Sequence, residues 1–235
     1  MSTTTPELHT HGGHEEGHNP YHQHHFATME QQFDTAKIGI WSFLATEVLM
    51  FGGLFVGYGI SQGKYPAEFV EAHAHLDWMM GALNTIVLLV SSWTMVMAVD
   101  AAKTNQRAKL KMYLLFTIAC AFIFLIVKYF EYEHKWHEDL MPFKYYGTGE
   151  TGIRPGDLMP GSHGYATFFS FYFMMTGLHG FHIIVGIVLL AWLYVKAGRD
   201  RFSSAYYTPV DLVGLYWHIV DMIWIYLFPL YYLIS

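Results

Sequence analysis

The sequence has few charged residues, a single cysteine and no lysine or arginine in its first 36 positions. Charged residues make up 14% of the 235 residues. A soluble domain carries about 25%, so much of the surface is expected to face lipid. Cys120 is the single cysteine of the sequence, which excludes a disulfide framework and a Cys-x-x-Cys metal site. A net charge of -6 without a Lys/Arg stripe argues against a nucleic-acid partner.

Residues 1–36 are predicted to form a disordered or extended, His-rich acidic tail, because they contain seven histidines, five acids and little apolar material. The segment has neither the basic start nor the apolar core of a secretory signal. Within it, His14 to His18 match the zinc-protease pattern His-Glu-x-x-His. Flanking glycines and Pro20 disfavour the helix that this metal site needs, so we expect adventitious metal binding at most.

Five apolar segments follow the tail, and each is close to or above the ~20 residues that cross a bilayer. We predict an all-α polytopic membrane protein, with residues 37–235 forming one five-helix transmembrane domain. Helices are expected because an isolated strand leaves its backbone polar groups unsatisfied in hydrocarbon. The fourth segment is too long for one upright crossing, so it is tilted or projects beyond the lipid. The predicted helices cover about 38–60, 78–99, 110–130, 165–195 and 211–234.

Two basic loops predict the orientation of the bundle. The loop after the second helix and the loop after the fourth helix are rich in lysine and arginine, which favours the cytoplasmic side. The N-terminus is then cytoplasmic and the C-terminus periplasmic, and the Gly/Pro-rich stretch 141–164 is external. The basic residues of the two loops are Lys103, Arg107, Lys109 and Lys111, and Lys196, Arg199 and Arg201.

Glu47 lies about ten residues inside an apolar run that is otherwise free of charge, from Ile38 to Ile60. An ionisable group near mid-membrane costs roughly 3 kcal/mol on insertion scales and usually marks a working site. The side chain must therefore face protein or water. We expect it to hydrogen-bond a histidine or a structured water.

Three further pairs of polar residues occur three positions apart, a spacing that places both members on one helix face. Glu131 and His134 form a Glu-x-x-His unit, of which a di-iron bundle needs more than one, so a polar helix end is the simpler interpretation. His179 and His182 could bind a haem or metal, a lipid headgroup or a buried carboxylate. His218 and Asp221 form the third pair.

These ionisable groups are predicted to lie at similar membrane depths. At 1.5 Å per residue, Glu47 lies roughly 15 Å from the cytoplasmic end of its helix, and His218 and Asp221 lie roughly 10–15 Å from the same side. His182 lies roughly 20 Å from that side. Ionisable residues placed at random would seldom lie at such similar depths, so we predict that they form a buried polar network.

Several strings of this sequence resemble subunit III of the haem-copper oxidases, the cytochrome c oxidase group. The resemblance covers about residues 36–234, in the short five-helix bacterial form, whereas longer members carry two further helices at the N-terminus. Five ordered matches at compatible spacing make it specific. The matching strings are Lys37–Phe55, Leu83–Leu89, Glu131–Tyr132, Gly177–Gly186 and Tyr216–Trp224.

The resemblance implies a non-catalytic subunit of an aerobic respiratory oxidase in the bacterial cytoplasmic (inner) membrane. Such subunits bind phospholipid, pack on catalytic subunit I beside other oxidase subunits, including those of a respiratory supercomplex, and support proton uptake and turnover stability. Haem and copper belong to partner subunits, so no metal or cofactor is expected on this chain. Glu47 matches the family's buried carbodiimide-reactive carboxylate. Other polar intramembrane positions of the family are matched by His179, His182, Glu131, His218, Asp221 and Trp224.

Small and aromatic residues are predicted at helix and lipid interfaces. Glycines admit close helix approach, and tryptophans anchor a chain at the membrane surface. The residues assigned to lipid or helix contacts are Trp41, Gly53, Gly57, Trp217 and Trp224.

Three other functions compete with a cytochrome c oxidase subunit. A quinol-oxidising or nitric-oxide-reductase-associated relative would share these strings, because the electron donor binds elsewhere. A di-iron-type membrane enzyme would use the His and Glu groups directly. A transporter with Glu47 as proton carrier is disfavoured, because the sequence shows neither an inverted repeat nor paired broken helices.

Overall fold

The computed structural model describes residues 26–74, 76–137, 162–199, 202–203 and 206–233. These residues are almost entirely helical, and five helices are long and apolar enough to cross a membrane, which confirms the predicted all-α membrane fold. Within the described ranges, β pairing is limited to one isolated bridge, Ser203 to Tyr206. The helices are α1 Met29–Lys64, α2 Pro66–His73, α3 Trp78–Lys103, α4 Arg107–His137, α5 Ser162–Gly198 and α6 Thr208–Tyr232.

The helices extend beyond the apolar segments that predicted them. α1 begins at Met29, where the Thr28 hydroxyl accepts a hydrogen bond from the backbone N–H of Gln31 at 3.1 Å and caps the first turn. Residues 29–36, which the sequence assigned to the tail, are therefore helical. Apolar runs mark the part of a helix inside hydrocarbon, not its capped ends. Residues 1–25, with His14 and His18, and most of the stretch 141–164 lie outside the described residues.

A short helix that the sequence did not predict, α2, follows α1 directly. Pro66 begins it, a position where the missing proline N–H costs nothing. Its Phe69 side chain is fully buried against α5, with a ring centroid 5.4 Å from that of Phe168. α2 thus packs along the start of α5.

Four helices form a ring, and α1 packs on its outside. α3 contacts α4 and α6, and α5 contacts the same two helices, while α1 lies against α5 and α6. α1 buries only Leu44, Phe51 and Tyr58, whose seven-residue spacing forms one narrow stripe of a helix. The buried stripe of α1 therefore packs on α5 and α6, and α1 makes a smaller contact with α2.

Lysines and arginines gather at one end of the bundle, which we call the basic end. α1 and α6 begin there, and α3 and α5 finish there. The Asp211 carboxylate links three helices at this end, since it lies 3.8 Å from Lys37 Nζ and 3.9 Å from Lys103 Nζ. The turn into α4 has Asn105 at φ 58°, a left-handed conformation in which asparagine is enriched.

Candidate functional site: buried polar groups of the bundle

Glu47 of α1 faces His182 of α5 across the interface between these helices. The Glu47 Oε2 to His182 Nε2 distance is 2.9 Å, and the two side chains are 14% and 10% exposed. The Phe51 ring covers the histidine with a centroid separation of 5.7 Å. The Tyr216 hydroxyl donates to the His182 carbonyl at 2.9 Å, which brings α6 to the same place. The histidine expected as a partner of Glu47 is therefore His182.

The second ring nitrogen of His182 fixes the tautomer. His182 Nδ1 lies 2.8 Å from the carbonyl oxygen of Leu178. A carbonyl only accepts hydrogen bonds, so Nδ1 carries a proton and Nε2 faces Glu47. Glu47 Oε2 approaches His182 Nε2 to 2.9 Å, and it accepts no hydrogen bond of normal geometry from the described residues.

A second polar cluster lies towards the opposite end of the bundle, and we call it the Lys128 cluster: Lys128 and Glu131 of α4, Tyr172 of α5 and Tyr232 of α6. Lys128 Nζ donates to Glu131 Oε2 at 2.9 Å, to the Tyr232 hydroxyl at 3.1 Å and to the Tyr172 hydroxyl at 3.2 Å. Glu131 Oε1 accepts from the Tyr172 hydroxyl at 2.6 Å and from the Tyr232 hydroxyl.

Burial and aromatic rings surround the ion pair of the Lys128 cluster. Lys128 is 7% exposed and Glu131 is 3% exposed. The ammonium lies 4.8 Å from the Trp224 ring centroid and 5.2 Å from that of Tyr172, within cation–π range. Both oxygens of the carboxylate are occupied. A buried ion pair is tolerated when hydrogen bonds satisfy its members, and this one joins α4, α5 and α6.

Glu131 is thus committed to Lys128 and two tyrosines, while His134 is an exposed residue beside it. Both residues of the Glu-x-x-His unit nevertheless line one cavity of about 540 Å³ between α4 and the start of α3. In the described part of the chain, no group of three or more His, Cys, Asp or Glu side chains is arranged to hold a metal ion.

His218 and Asp221 lie on α6 facing α3, away from Glu47. His218 Nδ1 is 2.7 Å from the Ser92 hydroxyl, and Asp221 is 3% exposed. The predicted polar residues therefore form separate groups in the described chain, because α1 directs Glu47 to α5 whereas α6 directs His218 to α3. These side chains lie at similar depths along their helices. They point towards different neighbouring helices, so they form no single contact network in the described chain.

His179 is fully buried and lies between aromatic rings. Its ring centroid is 5.3 Å from that of Trp224 and 5.5 Å from that of Phe124. Neither ring nitrogen has a hydrogen-bond partner among the described residues. His179 and His182 both lie on α5. The His182 ring faces α1, whereas the His179 ring contacts Phe124 of α4 and Trp224 of α6.

The predicted interface residues divide between the bundle interior and its surface. Trp217 and Trp224 are fully buried, with indole N–H groups donating to Ser91 Oγ at 2.9 Å and to Thr85 Oγ1 at 3.1 Å. Gly57 admits the Phe171 ring, 3.2 Å from where a Cβ would be. Trp41 is 59% exposed, and Gly53 faces open space.

Sequence reasoning missed four residues that complete these groups: Lys128, Tyr172, Tyr232 and Ser92. Lys128 could have been noticed, because it is a charged residue inside the predicted third span and lies three positions before Glu131. The tyrosines and the serine gave no comparable signal, because such residues are common in membrane helices.

Comparison with known proteins adds an independent observation. A family model described as cytochrome c oxidase subunit III matches residues 161–235. The chain is 30% identical over 235 residues to cytochrome c oxidase subunit 3 of Synechocystis sp., covering 99% of this chain and 83% of that protein. The chain belongs to the cytochrome c oxidase subunit III family. The resemblance seen in the sequence is thereby confirmed.

Relatives of this oxidase subunit III differ in the oxidase that their names describe. A probable quinol oxidase subunit 3 of Staphylococcus epidermidis is 27% identical and covers 85% of this chain and 89% of its own length. A heme-copper oxidase subunit I+III of Aeropyrum pernix is 31% identical over 86% of this chain, which spans 23% of that protein. An oxidase subunit III associates with other oxidase subunits, and its five spanning helices make it a multi-pass membrane protein.

Proposed function

We propose that this subunit III serves a proton-pumping terminal oxidase of the bacterial cytoplasmic membrane, with cytochrome c as the electron donor. It packs on the catalytic subunit, and haem and copper are held by partner subunits. The name of the Aeropyrum relative joins subunits I and III in one chain, which supports direct contact between the two.

The Glu47–His182 contact is the observation that supports a role in proton uptake and turnover stability. Glu47 Oε2 and His182 Nε2 lie 2.9 Å apart, in the interior of the apolar span of α1 rather than at its polar ends. In this proposal, the imidazole and carboxyl groups of the pair bind and release protons that turnover of the catalytic subunit consumes.

The outer face of α1 supports contact with phospholipid and with the catalytic subunit. Leu49 is 75% exposed and Ile38 is 68% exposed. An exposed apolar face of this kind is covered by acyl chains or by a neighbouring subunit. In this proposal, phospholipid fills the part of the face that the catalytic subunit leaves free.

Replacing Glu47 by alanine tests the proposed role in turnover. We expect the purified oxidase to keep its haem spectrum and initial rate but to inactivate several-fold sooner during sustained turnover. His182→Gln is expected to have the same effect, because either change removes the contact between the imidazole and the carboxyl group. Glu30→Gln, on an exposed turn of the same helix, is the matched control. Unchanged catalytic lifetime would count against the role, and loss of haem absorbance would indicate an assembly function instead.

A quinol oxidase is the second candidate, and the Staphylococcus relative favours it. The donor is decided by steady-state oxygen uptake of the purified complex with reduced cytochrome c or with a quinol. Turnover with cytochrome c is expected, and turnover confined to the quinol would replace the cytochrome c proposal.

We also propose that the basic end faces the cytoplasm. In a Cys120→Ser background, Gln106→Cys lies at the basic end and Gly63→Cys lies at the opposite end, where a side chain meets open space. A membrane-impermeant maleimide should label position 63 in intact spheroplasts and position 106 only after lysis, because cytoplasmic loops carry the basic residues. The reverse pattern would invert the topology.

A further inference from the structure

The cavity lined by Glu131 and His134 lies at the end of the bundle opposite the basic end, where α3 begins and α4 finishes. We call it the α3–α4 cavity. Its volume of about 540 Å³ falls within the roughly 300–1,000 Å³ of small-molecule sites. Asp77 and His134 are exposed, so the mouth of the cavity reaches the surface. The remaining wall includes Met80, Phe130 and Lys135.

Two buried residues of opposite charge line the α3–α4 cavity. Lys135 is 1% exposed and Glu131 is 3% exposed, so the protein holds both in place. A carboxylate has about four sites that accept hydrogen bonds. The Lys128 cluster fills one such site on Glu131 Oε2 and two on Oε1. Glu131 Oε2 therefore keeps the capacity to accept one further hydrogen bond.

A second acceptor and a second donor lie at the mouth of the cavity. Asp77 Oδ1 accepts a hydrogen bond from the backbone N–H of Met79 at 2.8 Å and caps α3, so the cap does not use Oδ2. The His134 imidazole has an N–H to donate. The cavity thus presents two carboxylates to a cation, and an ammonium and an imidazole to an anion. A ligand that carries both charges on one small group matches this lining better than a simple anion or cation does.

The depth of the α3–α4 cavity matches the headgroup level of a membrane. Trp78, Tyr129 and Trp136 are exposed and adjoin its lining residues in the chain, and such aromatic residues concentrate at the membrane surface. Met80 and Phe130 are exposed apolar parts of the wall. From them, rows of exposed apolar side chains continue along both helices towards the membrane interior, so a ligand with an apolar tail is favoured. These rows contain Leu83 and Ile86 of α3, and Ile123 and Ile126 of α4.

We propose that the α3–α4 cavity binds the headgroup of a phosphatidylethanolamine lipid. The phosphate accepts hydrogen bonds from Lys135 and His134, and the primary ammonium donates to the carboxylates of Glu131 and Asp77. The acyl chains follow the exposed apolar rows of α3 and α4. Phosphatidylglycerol has no cation for the carboxylates, and the quaternary ammonium of phosphatidylcholine has no N–H to donate. The site lies apart from α1, so it goes beyond the phospholipid contact proposed there.

Native mass spectrometry of the delipidated, full-length protein with its associated subunits tests the site. Titration with the three lipids should show one site that binds phosphatidylethanolamine about tenfold more tightly than phosphatidylglycerol or phosphatidylcholine. Asp77→Asn removes the charge and keeps the helix cap, because asparagine caps as well as aspartate does. It should weaken binding at that site about threefold, and adding His134→Ala should weaken it about tenfold. Soluble phosphoethanolamine carries the same charges without acyl chains, so an equal concentration should not displace the lipid.

The variants separate this site from lipid bound elsewhere on the protein. Both changed positions are exposed, so the fold is kept, and Glu133→Gln, an exposed α4 position outside the cavity lining, should leave lipid binding unchanged. Equal affinities for the three lipids, or equal phosphatidylethanolamine binding by the wild type and the double variant, would overturn the proposal. Displacement by soluble phosphoethanolamine would also overturn it, because the site would then take a soluble ligand. The readout is bound lipid, so the result is independent of oxidase turnover and of the electron donor.

Discussion

Glu131→Gln is expected to lower the free energy of unfolding of the subunit by about 3–5 kcal/mol. The change leaves the Lys128 ammonium buried without its carboxylate, 7% exposed and surrounded by aromatic rings. Lys128→Met should cost a similar amount, because it leaves the Glu131 carboxylate buried without its cation. Denaturation in mixed detergent micelles, followed by circular dichroism, measures both losses.

A double variant and a surface control distinguish the effect of breaking the ion pair from the effect of removing one polar group. Lys128→Met combined with Glu131→Gln should lose less than the sum of the two single changes, because no isolated charge remains and the amide still accepts from the tyrosine hydroxyls. Glu133→Gln, an exposed position on the same helix, should change stability by less than about 0.5 kcal/mol. Additive losses would contradict the account of a mutually dependent buried pair.

Gly186→Ala is expected to destabilise the α5–α6 interface by about 1–3 kcal/mol. A Cβ at this position would meet the Trp217 ring, with Cε3 at 2.8 Å. The indole cannot withdraw freely, because its N–H donates to Ser91 Oγ at 2.9 Å and its ring is fully buried. Thermal denaturation monitored by tryptophan fluorescence should report a lower midpoint.

Gly180→Ala is the matched control on the same helix, where a Cβ has no neighbour within 4 Å. It should be neutral or stabilising by up to about 1 kcal/mol, since alanine is the better helix former. Adding Trp217→Phe to Gly186→Ala removes the benzo ring that the new methyl meets, and should recover part of the loss. Equal losses at positions 180 and 186 would show that the close approach of α5 and α6 is not the cause.

The sequence predicted the helices well because length and hydropathy decide whether a segment crosses a bilayer. It predicted their ends less well, since α1 begins at a Thr28 cap within polar residues. α2 was missed because eight residues with a modest apolar face do not resemble a span.

The candidate site was predictable only one helix at a time. Glu47 and His182 stood out because each is polar within an apolar run, and the structure places them 2.9 Å apart. Spacing along one helix could not tell that His218 faces α3, or that Glu131 meets tyrosines from α5 and α6. Those contacts depend on how each helix is rotated about its axis, which packing decides.

Purification of the affinity-tagged chain in mild detergent tests its place in an oxidase most directly. A reduced-minus-oxidised spectrum and copper analysis of the eluate should show haem and copper in fixed proportion to the tagged chain, with a catalytic subunit in the same complex. Elution of the chain without haem would contradict the proposal. So would stoichiometric iron or zinc held by the isolated chain after removal of residues 1–36, since that result would make it a metal enzyme in its own right.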